Sequence, residues 1–550
     1  MPRGRPCAFT PRGTWGRNIV HQKNKPRKIF FGMVSNMIKH VFLIFRTYLD
    51  LFIDLVYGYF WEGKRKAIPD LEKKHAILTE SAVTLAAKIR NKELKSEDLV
   101  KACIERIKQV NPIINAVTDE RYEGALKDAR EVDKQIESGL TDDYFQKKPF
   151  LGVPFTAKES HAVSGMLHTL GILSRRHVRA HEDAECVRLM KEAGAIPVAV
   201  TNVPEINKWM ESRNYVFGQT NNPHHTGRTA GGSSGGEAAL QASIAVPISL
   251  CSDIGGSTRM PAFFCGLYAL NPTSGYTSLK GSALRTGKEK SMASIGFVSR
   301  HCTDLIPLTK IVAGDKAQDL NLDRVVDVKQ LKYYYVDTAQ DLRVSSISAD
   351  LRAAMNRAIA KLTEDTATTD NAPTPYYHAG FNHMFVLWRY WMTHEEDCFA
   401  KLLTNNQGYA HFYKEFPKKL VGMSEFTLPA ILKLADDQVM PPVNKDWAEK
   451  LTTELKDDLI KLLGDNGVLL FPSSPLVAPY HYSPIVRPFN FSYWAIFNAL
   501  HFPSAQVPLG LNSDKVPLGI QVVAAPKNEA LCAAVALHLG EAAPPCKILD

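Results

Sequence analysis

Two segments decide the reading of this chain: Gly231-Gly232-Ser233-Ser234-Gly235-Gly236 and Asp253-Ile254-Gly255-Gly256-Ser257-Thr258-Arg259. Between these glycine-rich turns, Glu237 to Val246 is apolar enough to predict one helix, stopped by Pro247. Glycine lets a backbone come close to a ligand and take up positive φ, so that successive N–H groups converge on one developing negative charge. That is the geometry of an oxyanion hole. A serine closing the second turn, Ser257, then stands where an activated hydroxyl attacks a carbonyl.

Other readings of the same residues compete. Glycine and serine together are common in flexible linkers, but this run is neither long nor of low complexity. A nucleotide-binding P-loop needs a lysine that neither turn supplies. Gly231 to Gly235 also satisfies G-x-S-x-G, the nucleophile elbow of α/β-hydrolases, which would make Ser233 the nucleophile of a Ser-His-Asp esterase. That reading needs a downstream histidine; His301, His378, His481 and His501 are available, a weak signal in 550 residues.

A third segment separates these readings. Leu151-Gly152-Val153-Pro154-Phe155-Thr156-Ala157-Lys158-Glu159 predicts a short apolar strand with a lysine at its end. On a surface Lys158 would be an ordinary charge. Buried, it would lose its proton more readily and become a base. A neutral lysine can take a proton from one serine, which takes it from a second, with no histidine involved.

With Lys158, Ser233 and Ser257 in this order, the chain resembles the amidase signature family of serine hydrolases. The resemblance extends through Thr201-Asn202-Val203-Pro204-Glu205, Gly218-Gln219-Thr220-Asn221-Asn222-Pro223, Pro261-Ala262-Phe263-Phe264-Cys265-Gly266 and Pro517-Leu518-Gly519-Ile520-Gln521, and covers roughly Ile77 to Gly540. Phe150 to Pro154, Asp253 to Phe264 and Arg487-Pro488-Phe489-Asn490-Phe491 are similar to its fatty-acid amide hydrolase 2 branch. The resemblance implies an α/β fold with a large mixed central sheet surrounded by helices. It implies Ser257 as nucleophile, Ser233 as the bridging serine in a cis peptide, and Lys158 as the base that returns a proton to the leaving amine. The N–H groups of Ile254, Gly255, Gly256 and Ser257 match the oxyanion hole, and Ser234, Asp253 and Arg259 match supporting positions. No cofactor is implied. The chain departs from the family at Thr229-Ala230, where proline is common, and at Cys251-Ser252 and Thr258; none of these is expected to carry a reacting atom. Leu331 to Pro441 matches only loosely, and there a substrate channel would be shaped.

Composition agrees with an enzyme. A chain of 550 residues, 45% hydrophobic, can bury a large core. Its nine cysteines are scattered with no C-x-x-C pair, so neither structural zinc nor a disulfide framework is expected. His177 and His181 stand four apart, but His394-Glu395-Glu396 does not complete H-E-x-x-H, and no metal is expected. Residues 1–49 hold ten of the 66 basic and none of the 57 acidic residues, so the +9 net charge belongs to the amino-terminal tail. The rest, 56 basic against 57 acidic, gives no support to nucleic-acid binding.

That basic tail (1–28) leads into an apolar, aromatic segment (29–66) in which Arg46, Asp50 and Asp54 recur every fourth residue and share one helix face. With Lys64-Arg65-Lys66 after it, the segment reads as a membrane-interface anchor; a transit peptide, a surface helix and a spanning helix are the alternatives. The catalytic domain is expected over 77–540. Ile77 to Val110 predicts two amphipathic helices, with Ser96 as an N-cap and Asn111-Pro112 as the stop. The expected substrate is a long-chain fatty acid amide met at an intracellular membrane, endoplasmic reticulum or lipid droplet, and a homodimer is compatible with the resemblance. A catalytically silent membrane-bound binding protein and an ammonia-supplying transamidase subunit are the non-hydrolytic readings.

Overall fold

The run Ile196–Thr201 is buried at every position, as in a parallel strand covered on both faces rather than an alternating surface strand. Pro154–Lys158 is equally buried and pairs in parallel with it on one side and with Ile248–Asp253 on the other. These strands belong to an 11-stranded sheet in the order Val117–Glu120, Ile196–Thr201, Pro154–Lys158, Ile248–Asp253, Ser294–Ser299, Tyr268–Asn271, Ser504–Leu511, Pro517–Ala524, Gly467–Pro472, Lys332–Tyr335, Thr374–Pro375. The strands from Ser294–Ser299 to Gly467–Pro472 pair antiparallel, so the sheet is mixed, as expected. Phe155, Ile248, Leu250, Leu270, Ile295 and Phe297 fill the core around it. Each such side chain contributes about 1.5–3 kcal/mol relative to exposure.

The computed structural model describes the backbone of residues 25–547 and 549 apart from 370, 396 and 397, with side chains from residue 41 onward. Most of the expected basic tail, residues 1–24, lies outside the described residues. The chain divides into two units, Met1–Leu49 and Asp50–Asp550. The helix Lys25–Trp61 contributes its last turns to the second. There Asp50 and Asp54, expected on one polar face, both meet Arg487, at 3.0 and 2.7 Å. Leu51, Phe52, Leu55, Tyr59 and Phe60 are exposed. Among the described residues no helix is long and apolar enough to cross a membrane.

Three local expectations are corrected. Ser96 is not an N-cap but the first residue inside the helix Ser96–Ile114, and its hydroxyl donates to Gly152 O at 2.7 Å. Asp133 instead accepts from the amides of Ser96 (2.7 Å) and Glu97 (3.0 Å), satisfying the free N–H groups of that helix end. The helix continues past Asn111-Pro112, because a proline in the last turn forfeits a single hydrogen bond there; Asn115, in the left-handed region at φ 49°, ends it. The helix between the two glycine-rich turns is Gly235–Ala242. It stops before Pro247 because Ile244 turns into the left-handed region at φ 56°.

Candidate active site

Pro154–Lys158 and Ile248–Asp253 run parallel, so both leave the sheet at its carboxyl edge, where open α/β sheets bind ligands. Lys158, the last residue of its strand, is 1% exposed. Its Nζ lies 2.7 Å from Ser233 Oγ and 3.2 Å from Ser252 Oγ. Burial, which penalises the charged form, pulls the ammonium down to about 7. The amine can therefore exist neutral at ordinary pH, with a lone pair for the Ser233 proton. Behind it, Glu237 of the helix Gly235–Ala242 accepts from Thr156 Oγ1 at 2.6 Å and Thr201 Oγ1 at 2.8 Å, tying helix to strands. Burial pushes that carboxyl up to about 7.

The Gly232–Ser233 peptide is cis. The turn rests on Ser212, whose amide and hydroxyl each donate to Gly231 O at 3.0 Å and whose Oγ accepts from Gly235 N at 2.9 Å. A side chain at Gly232 would collide with the Trp209 carbonyl, so glycine is required there.

The second turn is held from inside by a buried ion pair. Asp253 Oδ1 accepts from Arg259 Nη2, and Oδ2 from Arg259 Nε, both at 3.0 Å. Arg259 further donates to Gln521 Oε1 (2.8 Å), Asn498 Oδ1 (2.6 Å) and Trp494 O (3.1 Å). The same carboxylate accepts from the amides of Gly256 (2.6 Å) and Thr258 (3.1 Å). Burial pushes Asp253 up, but Arg259 and these amides outweigh it and hold the carboxyl below its ordinary value. The Gly256 N–H is therefore occupied by Asp253. Of the four amides expected to form an oxyanion hole, those of Ile254, Gly255 and Ser257 have no acceptor among the described residues.

Ser234 joins the two turns through its backbone, its N–H donating to Ser257 O at 3.2 Å. Ser257 is 9% exposed, and its hydroxyl makes no hydrogen bond among the described residues. Lys158, Ser233 and Ser257 line one cavity of about 290 Å³. Met392, Phe399, Leu402 and Tyr409 form part of its wall, so the loosely matching region does shape it. Arg285 and Glu395, an ion pair at 2.8 Å, close another side.

The structure thus brings Lys158 and Ser233 into contact, sets Ser257 on the same cavity, and places Ser234, Asp253 and Arg259 behind the turns. No hydrogen bond among the described residues joins either serine to His301, His378, His481 or His501; His301 meets Thr79 O at 2.7 Å, and His378 accepts from Gly380 N at 3.0 Å. Sequence reasoning missed Ser252, set aside as carrying no reacting atom. Its signal is a hydroxyl directly before Asp253, at the end of a strand parallel to that of Lys158.

The sequence profile of the amidase family matches residues 98–533. Fatty-acid amide hydrolase 2 of Homo sapiens is 38% identical over 478 residues, covering 84% of this chain and 89% of that one. Among solved structures, one titled fatty acid amide hydrolase superposes with a TM-score of 0.66 at 21% identity, covering 84% of this chain and 85% of that one. A 6-aminohexanoate cyclic dimer hydrolase complexed with substrate superposes with a TM-score of 0.67 at 22% identity, covering 84% and 96%. At such identities the structural likeness speaks for the fold; the profile and the 38% relative carry the assignment. The chain belongs to the amidase signature family and is a hydrolase acting on amides.

Proposed function

We propose that this amidase cleaves long-chain fatty acid amides through an acyl-enzyme on Ser257, with Ser233 and Lys158 as its proton relay. The observation that carries the reading is the 2.7 Å contact between the buried Lys158 amine and Ser233 Oγ, on a cavity shared with Ser257. Ser257 Oγ attacks the amide carbonyl carbon, its proton passes to Ser233, and the Ser233 proton passes to Lys158. The carbonyl oxygen becomes an oxyanion held by the amides of Ile254, Gly255 and Ser257. As the carbon–nitrogen bond breaks, the proton returns through Ser233 to the departing amine. Water then hydrolyses the ester, with the relay running again.

The fatty acyl assignment is supported by the name of the 38% identical relative and by the apolar residues of the cavity wall, Met392, Phe399 and Leu402. Each buried methylene contributes about 0.8 kcal/mol, so a long chain supplies most of the binding. A membrane surface as the place of action is supported by the exposed row Leu51, Phe52, Leu55, Tyr59 and Phe60, followed by Lys64, Arg65 and Lys66. In this reading residues 29–66 anchor a catalytic domain of residues 77–540.

A fluorophosphonate probe tests the nucleophile: wild type is labelled and Ser257→Ala is not. Labelling lost only in Ser233→Ala would replace this scheme with a nucleophile elbow. A rate series on amides of rising acyl length tests the substrate, and a preference for short or aromatic amides would remove the lipid assignment.

A further inference from the structure

The Ile254–Gly255 peptide is gripped by a residue outside both glycine-rich turns. Trp388, on the helix Met384–Met392, donates its indole N–H to Ile254 O at 2.8 Å. The same ring lies flush against Gly255: a Cβ there would stand 3.1 Å from its Nε1 and Cζ2 atoms. Trp388 is itself fixed by Phe491, whose ring meets it edge-on at 4.8 Å. On the adjoining residue, Trp494 packs so closely that a Cβ on Gly256 would lie 2.6 Å from its own Cβ. Two tryptophans thus bracket the turn: Trp494 accepts from Arg259 Nη1 through its backbone carbonyl, whereas Trp388 bonds the Ile254–Gly255 peptide through its side chain.

A trans peptide is one rigid plane with C=O and N–H pointing to opposite sides. Fixing the Ile254 carbonyl on Trp388 therefore fixes the direction of the Gly255 N–H, which has no acceptor among the described residues. A carbonyl that accepts a hydrogen bond also polarises its own amide and strengthens the N–H as a donor. Asp253 fixes the next peptide from its other end, accepting from the Gly256 N–H at 2.6 Å.

We infer that Trp388 is a positioning residue for amide hydrolysis: through Ile254 O it aims and strengthens the Gly255 N–H toward the oxyanion. The inference rests on the reading of Ser257 as nucleophile. Trp388 lies between Leu331 and Pro441, where the chain matches its family only loosely, so the turn's orientation is set by a residue its own motif does not contain. The helix Met384–Met392 also ends in the cavity wall at Met392. Substrate wall and oxyanion donor therefore share one element.

The test is Trp388→Phe, which keeps an aromatic ring against Gly255 and removes the donor. With the enzyme titrated by fluorophosphonate, kcat falls about tenfold and KM stays within twofold, the pattern of a bond that acts in the transition state. A trifluoromethyl ketone, which adds Ser257 and carries an oxyanion, binds about tenfold more weakly, while the matching alcohol, which carries none, binds as before. The ratio of the two inhibition constants does not depend on how much protein is folded, so Trp388→Leu gives the same readout if the phenylalanine variant folds poorly. An unchanged ratio, or ketone and alcohol weakening together, makes Trp388 mere wall and overturns the inference. Labelling of Ser257→Ala by the probe would instead remove the nucleophile reading beneath it.

Discussion

Lys158 Nζ lies 3.2 Å from Ser252 Oγ, so the buried amine has a second hydroxyl neighbour besides Ser233 at 2.7 Å. A neutral amine has two N–H groups and one lone pair. Directing an N–H at Ser252 leaves the lone pair for the Ser233 proton, which sets the direction of transfer. A hydroxyl acceptor favours the ammonium more than the amine, because bonds to charged donors are the stronger. Ser252→Ala should therefore move the acidic limb of the kcat/KM profile to lower pH and reduce kcat about threefold to tenfold, the worth of one hydrogen bond. Ser252→Thr should restore both. A limb that stays in place in the alanine variant would mean Ser252 does not share the amine.

Lys158 also makes stability depend on pH. Its folded value, about 7, is far below the ordinary 10.5. Between those values the unfolded chain binds a proton that the folded chain does not, so stability rises with pH across the window. One pKa unit corresponds to about 1.4 kcal/mol, and the burial of this lysine costs a few kcal/mol at pH 7. Lys158→Met, similar in length and never charged, should be inactive and yet more stable than wild type in urea at pH 7, with the advantage shrinking toward pH 10. Equal stability at pH 7 would show that the amine keeps its proton in the folded protein.

Much of this site was legible before the structure because its parts are local. Lys158 closing an apolar run, and two glycine-rich turns ending in serine, each follow from a few adjacent residues and their backbone needs. The sheet's mixed character came from resemblance, since runs such as Ile196–Thr201 do not name their partners. What could not be read depends on distant residues meeting. Nothing in the sequence says that Gly256 spends its N–H on Asp253, that Trp388 bonds Ile254 O, or that Asp133 caps the helix Ser96–Ile114 in place of Ser96. The pairing of Asp50 and Asp54 with Arg487 likewise joins residues more than 400 positions apart.

The Asp253–Arg259 pair, both side chains fully buried, should be the least tolerant part of the turn. Removing one partner of a buried pair leaves the other charged and unmatched, at a cost of about 3–5 kcal/mol. Arg259→Met should melt markedly earlier than wild type and lose nearly all activity, because the carboxylate left behind no longer has the guanidinium that fixes it under Gly256 and Thr258. Asp253→Asn keeps the size but loses the charge and one acceptor. With Arg259 left charged and an NH2 facing N–H donors, it too should melt earlier than wild type and be impaired in fluorophosphonate labelling rate. Normal labelling in Asp253→Asn would show that the amides hold their positions without the carboxylate.

The last turns of the amino-terminal helix should prove part of the catalytic body. Trp61 meets the rings of His481 and Tyr482 at 4.9 and 5.8 Å, and Glu62 Oε2 lies 2.7 Å from Tyr480 Oη and 2.9 Å from His225 Nε2. The Lys66 amide donates to Thr226 Oγ1 at 2.7 Å. From there His481 contacts Thr226 O at 3.0 Å, Glu211 Oε1 accepts from the Tyr482 amide at 3.0 Å, and Ser212, the next residue, supports the Gly231–Ser233 turn. Removal of residues 1–66 takes both carboxylates from Arg487 and, with Trp61, Glu62 and Lys66, every contact just described to His481, Tyr482, Tyr480, His225 and Thr226. With a short, water-soluble amide, for which no membrane is needed, a chain starting at Asp50 should keep kcat within about twofold of the full protein. A chain starting at Ala67 should melt earlier and lose most of its activity. If both truncations match the full protein on that substrate, residues 50–66 are only a tether.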